Sequence, residues 1–262
     1  MIPPHGMAPM TLDGLAYNAR MRTLIVSDIH SNSVALDAVF AAAEEDGPID
    51  QVWCLGDIVG YGPAPMACLE RLWEANAMSI CGNHDAGAVE RVSLDRFNPY
   101  AAAACRWTSE QLSDKAREYL TALPETINED PFQLVHGAPR DPLWEYVFGY
   151  PQAIEVWEYT QAHVVLLGHS HLQFACEAGR GLEQPGQQGL YVPITNAARL
   201  VINPGSVGQP RDRDPRAGYA VYDGEAESVT LRRVWYDINI TQRAMAEAGL
   251  PEPLITRLSN GT

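Results

Sequence analysis

Residues 23–30 read TLIVSDIH, and this stretch decides the fold of the chain. Its first half, Thr23 to Val26, is a run of mostly β-branched and apolar residues that is typical of a buried strand. A carboxylate and an imidazole follow two residues apart, at Asp28 and His30, where the strand ends. Both side chains bind divalent metal ions, and from this position both can turn toward one ion. Alone, an Asp-x-His pair is a weak indication, because polar residues commonly follow strands.

The same pattern recurs four more times. Each time an apolar run ends in a histidine, carboxylate or amide that can bind metal, at Gly56-Asp57, Gly82-Asn83-His84-Asp85, His136-Gly137 and Gly168-His169-Ser170-His171. Since the carboxyl ends of parallel strands meet at one edge of a sheet, these five strand ends predict one shared site.

The order of elements predicts an α/β fold. Strands and helices alternate between residues 23 and 83, which indicates a parallel sheet with crossover helices. Residues 86–123 read as helices, strands are expected near 125–128 and 132–135, and a helix over 151–160 precedes the strand before His169. Five short strands follow between residues 172 and 234, and their alternation predicts a second, antiparallel sheet. A last helix is expected near residues 240–248.

Composition limits the function classes. The formal charge of −15 argues against binding to a nucleic-acid polymer or an anionic membrane, which needs clustered lysine and arginine. No run approaches the roughly 18 apolar residues of a membrane span. The five cysteines lack Cys-x-x-Cys spacing, and residues 1–20 do not resemble a secretory signal, so we expect a reducing, cytoplasmic location.

Without linkers or repeats, residues 21–262 are expected to form a single domain, preceded by an N-terminal extension over residues 1–20.

The candidate ligands suit two metal ions. The seven groups are Asp28, His30, Asp57, Asn83, His136, His169 and His171. Seven ligands exceed the four positions of a tetrahedral zinc site and suit two divalent ions that share a carboxylate. Mixed imidazole, carboxylate and amide groups favour Mn, Fe, Zn, Ni or Co over thiolate-seeking ions. Polar capping of buried strands explains any one motif, but it is a poor explanation for five.

With these five motifs in this order, the sequence resembles the calcineurin-like metallophosphoesterase superfamily. The resemblance implies a four-layer α/β/β/α sandwich, in which two facing mixed sheets lie between outer helices, and a dinuclear metal site. It assigns Asp28, His30, Asp57 and His171 to one metal and Asp57, Asn83, His136 and His169 to the other, with Asp57 as the bridge. It further implies hydrolysis of a phosphoric ester by a metal-bridging hydroxide.

The resemblance also implies catalytic and substrate-binding residues in the third motif. His84 would act as general acid beside the leaving-group oxygen, Asp85 would orient it, and Asn83 and His84 would contact substrate. A helix-start position in contact with solvent is the structural alternative for His84. Two dications, two carboxylates and one hydroxide leave a net charge of about +1. That charge favours a phosphodiester over a phosphomonoester.

Two further stretches, GDIVGYGP at 56–63 and NPGSVGQPR at 203–211, resemble a bacterial subset of small phosphoesterases. Residues 205–207 either present backbone N–H groups to the site or simply turn the chain. Arg140 and Arg211 are candidate phosphate contacts, because a guanidinium matches phosphate oxygens, with surface salt bridges as the alternative. The aromatic residues over 144–150 either stack on a nucleobase or lie buried under a loop.

Related functions fit less well. Protein phosphatases and diadenosine tetraphosphatases of the superfamily usually carry arginine where this chain has Tyr61, and the protein phosphatases carry glutamate in place of Asp85. DNA-repair nucleases are larger and more basic. The expected substrate is therefore a small phosphorylated molecule, with a cyclic or linear nucleotide left open. The alternative from another class is a non-enzymatic scaffold, although such proteins lose ligands or the catalytic histidine.

Overall fold

The computed structural model describes residues 21–195 and 197–262, so the predicted N-terminal extension lies outside the described residues. The strands of the described part are β1 Arg22–Val26, β2 Gln51–Cys54, β3 Met78–Ser79, β4 Thr126–Glu129, β5 Phe132–Val135, β6 Val164–Leu166, β7 Gln173–Glu177, β8 Gly181–Glu183, β9 Leu190–Pro193, β10 Leu200–Pro204, β11 Ala217–Asp223 and β12 Ser228–Val234. Its α-helices are α1 Ser33–Glu45, α2 Pro65–Glu74, α3 Asn83–Ala88, α4 Pro99–Gln111, α5 Asp114–Ala122, α6 Tyr150–Val156, α7 Ile238–Glu247 and α8 Glu252–Thr256. Two 3₁₀ turns span Leu94–Arg96 and Arg257–Ser259.

The strands form two mixed sheets of six strands each. The first has the order β3-β2-β1-β11-β12-β9 and the second the order β4-β5-β6-β10-β7-β8. Strands β1, β2 and β3 run parallel, as do β5, β6 and β10, while β1 pairs antiparallel with β11. The mixed sheets expected from the family resemblance are therefore present.

The prediction that the late strands form their own antiparallel sheet is wrong. Strands β9, β11 and β12 extend the first sheet, and β7, β8 and β10 extend the second. The alternating pattern indicates that one face of a strand is buried, but it carries no information about which neighbour the strand pairs with. Strand pairing joins distant parts of the chain, since Arg22 of β1 lies opposite Asp223 of β11.

Four layers follow from the side-chain alternation of the strands. In β1, Ile25 points between the two sheets, where it packs with residues such as Trp53 and Leu134. Its neighbours Leu24 and Val26 point the other way, into the cluster under α1 and α2. On the far side, α6 covers the outer face of the second sheet. The four-layer α/β/β/α sandwich is confirmed.

Several predicted elements differ in length from the observed ones. The first helix begins after Asn32, whose side chain accepts a hydrogen bond from the backbone N–H of Ala35 at 3.2 Å. The helix expected over 151–160 is shorter and shifted, at Tyr150–Val156.

Within the described residues, no helix is long and apolar enough to cross a membrane. All five cysteines are buried with free thiols.

Candidate metal centre

The strand ends of the first sheet are bonded side by side. The backbone N–H of Asp28 donates to the carbonyl of Gly56 at 3.1 Å, and that of His30 donates to the carbonyl of Asp57 at 2.9 Å. These bonds continue the parallel pairing of β1 and β2 past the last strand residues. Asp28, His30 and Asp57 are therefore held on one edge of the sheet, as the sequence predicted.

The second sheet meets the first at this edge. The N–H of Gly168 donates to the carbonyl of His136 at 2.9 Å. Across the sheet boundary, the N–H of His169 donates to Oδ2 of Asp28 at 3.1 Å, and the Ser27 hydroxyl donates to the same oxygen at 2.7 Å. The Asp28 carboxylate thus ties the two sheets together while its second oxygen, Oδ1, has no hydrogen-bond partner among the described residues.

Glycine is required where the strand ends approach most closely. A Cβ at Gly168 would lie 2.0 Å from Oγ of Ser27, and a Cβ at Gly82 would lie 2.1 Å from Oδ1 of Asp57. No real side chain tolerates such distances, since packed carbon and oxygen atoms need more than 3 Å. These two glycines allow the motifs that carry His169 and Asn83 to reach the first two motifs.

The backbone at the centre is strained. Five of the seven candidate ligands have φ in the left-handed region, at Asp28 (52°), His30 (49°), Asp57 (52°), His169 (61°) and His171 (58°). For residues other than glycine this conformation costs on the order of 1–3 kcal/mol each. Such strain clusters at functional sites because it aims side chains that a relaxed backbone would turn away.

One cluster of ligand atoms lies at the ends of β1 and β6. Nε2 of His171 is 3.2 Å from Oδ1 of Asp28 and 3.2 Å from Nε2 of His30. All three side chains are almost completely buried, with at most 2% of their surface exposed. This group, Asp28, His30 and His171, could hold a metal ion.

A second cluster lies beside the first. Nε2 of His136 is 3.3 Å from Oδ2 of Asp57, 3.2 Å from Nδ1 of His169 and 3.3 Å from Oδ1 of Asn83. Asp57, His136 and His169 could also hold a metal ion. Oδ2 of Asp57 lies 3.6 Å from Nε2 of His30 as well. Asp57 therefore faces both clusters, which is the position required of a bridging ligand.

Hydrogen bonds at the back of the imidazole rings set their orientation. Nδ1 of His30 lies 3.2 Å from the carbonyl of Val59, and Nδ1 of His171 lies 2.5 Å from the carbonyl of Gln209. A carbonyl can only accept, so each Nδ1 carries the hydrogen. Burial lowers the pKa of both rings well below the usual value, which leaves them neutral. Their Nε2 lone pairs consequently face each other.

These groups fit divalent cations. Opposed lone pairs at 3.2 Å repel each other, and burial raises the pKa of Asp28 to about 6, so its charged form is poorly stabilised by the protein alone. In the second cluster, burial disfavours the protonated form of His136. The neighbouring Asp57 carboxylate outweighs this effect and raises the pKa of His136 to about 9. The centre therefore favours positive charge at both positions. Divalent ions supply that charge, with the Nδ1 bonds serving as the outer support that metal-bound histidines usually have.

Comparison with known proteins agrees with this geometry. Residues 21–227 match the model of the calcineurin-like phosphoesterase superfamily domain. The chain belongs to this superfamily. It is 37% identical over 244 residues to an uncharacterised protein of Methanocaldococcus jannaschii, and the match covers 90% of this chain and 97% of that one.

Solved structures share the superfamily fold. A metallophosphoesterase from Sphaerobacter thermophilus has 42% sequence identity and a TM-score of 0.82, covering 93% of this chain and 100% of that chain. A hypothetical protein from Pyrococcus horikoshii has 22% identity and a TM-score of 0.74, covering 92% of this chain and 99% of that chain. The second likeness is one of fold alone.

In this superfamily member, His84 is buried rather than solvent-facing. Its side chain is 4% exposed, and its ring lies 4.9 Å from the ring of His30 and 4.4 Å from that of Tyr61 between centroids. Its backbone N–H donates to Oδ1 of Asp57 at 2.8 Å. Burial lowers the pKa of the ring to about 4. The alternative of a solvent-exposed helix start is excluded.

No hydrogen bond within the described residues joins the Asp85 carboxylate to the His84 ring, which Asp85 is expected to orient. The Asp85 carboxylate instead accepts from the backbone N–H groups of Val59 and Gly82, each at 3.0 Å. Nδ1 of His84 has no partner among the described residues. The short spacing between the two residues places Asp85 on the other side of the helix start, where it caps α3 and fixes the loop after Asp57. Its catalytic role stays a prediction.

The two candidate arginines lie in different surroundings. Nε of Arg140 donates to Oε2 of Glu145 at 3.2 Å, and the side chain is 49% exposed, so it forms the surface salt bridge named as the alternative. Arg211 is half-buried, with Nη2 donating to Oε1 of Gln209 at 2.8 Å and lying 3.4 Å from the Tyr61 hydroxyl. Phosphate binding stays a prediction for both.

The loop over 203–211 supports the centre from behind. The N–H groups of Val207 and Gly208 donate to the carbonyls of Ser27 and Asp28, each at 3.0 Å. The Ser206 hydroxyl donates to the Asp28 carbonyl at 2.8 Å. The N–H of Gly205 likewise donates to Oδ1 of Asn203 at 2.8 Å. The N–H groups of Gly205 and Val207 are therefore used by the protein itself, and the loop braces the first motif. The sequence indicated the loop but not that it packs against Ser27 and Asp28.

An aromatic stack leads from the centre to the surface. The ring of Tyr146 stacks on His169 with centroids 3.8 Å apart and planes at 20°, and Phe148 stacks on Tyr146 at 4.9 Å and 7°. Tyr146 is 40% exposed and Phe148 is 56% exposed. Tyr146 and Phe148 are therefore not buried under a loop, which was one of the two expectations for residues 144–150.

Proposed function

We propose that this protein is a metal-dependent phosphoric ester hydrolase that cleaves a phosphodiester of a small molecule or nucleotide. The observation that supports this most strongly is the position of Asp57, whose Oδ2 faces His30 at 3.6 Å and His136 at 3.3 Å. One carboxylate between two ligand clusters is the arrangement of a two-metal hydrolase.

The proposed ligands fall into two sets that share Asp57. One contains Asp28, His30, Asp57 and His171, and the other contains Asp57, Asn83, His136 and His169. When bound, a pair of divalent ions would supply a hydroxide nucleophile near neutral pH and offset the charge of the phosphate. The chemistry of the ligands suits Mn, Fe, Zn, Ni or Co.

The protein's own groups would position the ester and handle its leaving group. His84 is the candidate proton donor, because its ring lies against His30 and its Nδ1 is free of protein partners among the described residues. The neutral ring of the free protein would be easier to protonate beside an anionic phosphate, since a nearby negative charge raises the pKa of an imidazole. Arg211 is a candidate contact for a phosphate of the substrate.

The aromatic stack supports a substrate that carries a ring. Phe148 continues the stack from His169 outward and exposes more than half of its surface. An aryl or nucleoside group on the ester could add to this stack, and aromatic pairs contribute about 0.5–1.5 kcal/mol beyond the area they bury. A nucleotide is therefore our preferred substrate class.

The test is hydrolysis of bis-p-nitrophenyl phosphate and p-nitrophenyl phosphate by protein reconstituted with Mn, Ni or Co. We expect turnover that requires metal, with the diester preferred. Asp57→Asn should remove it, whereas Asp37→Asn, at an exposed surface carboxylate, should not. No turnover of either ester with any metal from neutral to alkaline pH would instead favour a non-enzymatic scaffold.

A further inference from the structure

Two guanidinium groups share one buried acceptor next to the metal centre. Oε1 of Gln209 accepts from Nη2 of Arg211 at 2.8 Å and from Nη1 of Arg257 at 3.1 Å. Gln209 is 1% exposed, and its backbone carbonyl also holds Nδ1 of His171. One residue thus fixes both a candidate metal ligand and a pair of cations.

The pair has no aspartate or glutamate counterpart within the described residues. No side-chain carboxylate there lies within 4.0 Å of Arg211 or Arg257, and Nε of Arg257 donates instead to the main-chain oxygen of Thr262. Burial, together with the charge of Arg211, lowers the pKa of Arg257. Holding two like charges close together around a neutral amide is unfavourable, and an anion between them removes that cost.

Tyr61 connects the pair to the centre. Its hydroxyl is 3.4 Å from Nη2 of Arg211, and its ring centroid is 4.6 Å from that of His30. The same tyrosine packs in an apolar cluster with Leu254 and Leu258, which flank Arg257 in the chain. The C-terminal segment, which lies beyond the matched superfamily domain at 21–227, therefore carries the second cation to this position.

We propose that Arg211 and Arg257 bind a second anionic group of the substrate, a phosphate that is not cleaved. This rests on the proposed phosphoesterase function. Both guanidiniums bond to Gln209, whose carbonyl contacts the back of His171, so the pair lies at the edge of the centre, one residue away from a candidate metal ligand. Paired guanidinium forks match the oxygens of a phosphate. The preferred substrates would then contain two neighbouring phosphates, as nucleoside diphosphates and their esters do.

Binding can be measured without catalysis. The probe is inorganic pyrophosphate, titrated calorimetrically into chelator-treated protein, with wild type compared with Arg257→Gln, Arg257→Lys and the exposed control Arg180→Gln. We expect Arg257→Gln to weaken binding about tenfold or more, because a charged hydrogen bond is lost. The pyrophosphate affinity of Arg257→Lys should fall between those of wild type and Arg257→Gln, since lysine keeps the charge but not the forked guanidinium. Arg180→Gln should match wild type.

Equal binding by wild type and Arg257→Gln, including no detectable binding by either, overturns the proposal. Circular dichroism checks that the variants are folded, and if Arg257→Gln is not, the same criterion applies to Arg257→Lys. With metal restored, Arg257→Gln should raise the KM for the p-nitrophenyl ester of ADP about tenfold with little change in kcat. Its kcat/KM for bis-p-nitrophenyl phosphate, which has one phosphate, should be unchanged.

The two proposals fail in different ways. If wild type hydrolyses no ester but still binds pyrophosphate through Arg257, the hydrolase function fails and the anion site stands. If esters are hydrolysed and Arg257→Gln lowers activity equally on the p-nitrophenyl ester of ADP and on bis-p-nitrophenyl phosphate, the residue has only a structural role and the anion site is wrong.

Discussion

His84 shows how a residue can contact the metal ligands without being assigned as one of them. Its ring is enclosed by His30, Tyr61 and Phe97, with centroid distances between 4.4 and 5.0 Å. Its backbone N–H fixes the orientation of Asp57. A substitution that removes only the ring should therefore separate proton transfer from metal binding.

We expect His84→Ala to retain both metals and to lower kcat on esters with poor leaving groups by about 10²–10⁴. Esters with good leaving groups should lose much less, because they need little protonation in the transition state. The measurement is kcat across alkyl and aryl phosphodiesters of graded leaving-group pKa, with metal content determined on the same samples. His163→Ala, at a half-buried histidine bonded to the Thr195 carbonyl, is the control. Wild-type rates on the poorest leaving group, with metals present, would contradict the assignment.

At this scale the sequence predicted which residues gather, but not what each one contacts. All seven candidate ligands follow strand ends, so the strands themselves determine where these residues lie. Arg140 and Asp85 depend on their neighbours instead. Glu145 lies five residues after Arg140 in a turn, and Asp85 faces the amide of Val59, which is brought near only by the fold.

At the scale of elements, the left-handed turns after β1 and β6 are held in place by the loop over 203–211. Ser206 is central to this, because its hydroxyl donates to the Asp28 carbonyl and accepts from the N–H of Gln209, both at 2.8 Å. The loop follows β10, which pairs with β6 and β7 in the second sheet. One sheet therefore braces the strained turn of the other.

Ser206→Ala should destabilise the protein by about 1–3 kcal/mol, since it leaves the buried N–H of Gln209 without its partner and removes one of the two hydrogen bonds to the Asp28 carbonyl. It should also weaken metal binding, because the turn that aims Asp28 and His30 loses its support. The measurements are urea unfolding and metal titration. Ser113→Ala removes the cap of α5, where Oγ accepts from the N–H of Ala116 at 3.2 Å. This control should lose about 1 kcal/mol but keep its metal affinity, so equal metal affinity in both variants would contradict the bracing role.

The pairing of elements was the least predictable part of the fold. Periodicity identified most strands, including β11 and β12. It could not show that β11 lies beside β1, since that pair joins residues about two hundred positions apart and its register is determined by packing between the sheets. The two-sheet sandwich was implied instead by the family resemblance that the five motifs carry.

For the whole molecule, both sheets must be assembled before the ligands meet. Asp28, His30 and Asp57 follow strands of the first sheet, whereas His136 and His169 follow strands of the second. The clusters therefore exist only in the folded sandwich, and ions that bind them should stabilise folding by mass action. The strain of the turns and the facing lone pairs of His30 and His171 oppose folding unless cations are present.

Removal of metal should therefore lower the midpoint of thermal unfolding. At a free metal concentration one hundred times Kd, one site contributes about 2.7 kcal/mol, which corresponds to a shift of about 5–10 °C in a protein of this size. Scanning calorimetry with and without a chelator measures the shift, and metal analysis after reconstitution should give two ions per chain. Asp57→Asn should reduce both the shift and the ion count, because Asp57 faces both clusters, while Asp37→Asn should change neither. An unchanged midpoint, or a single ion per chain, would rule out the two-metal centre.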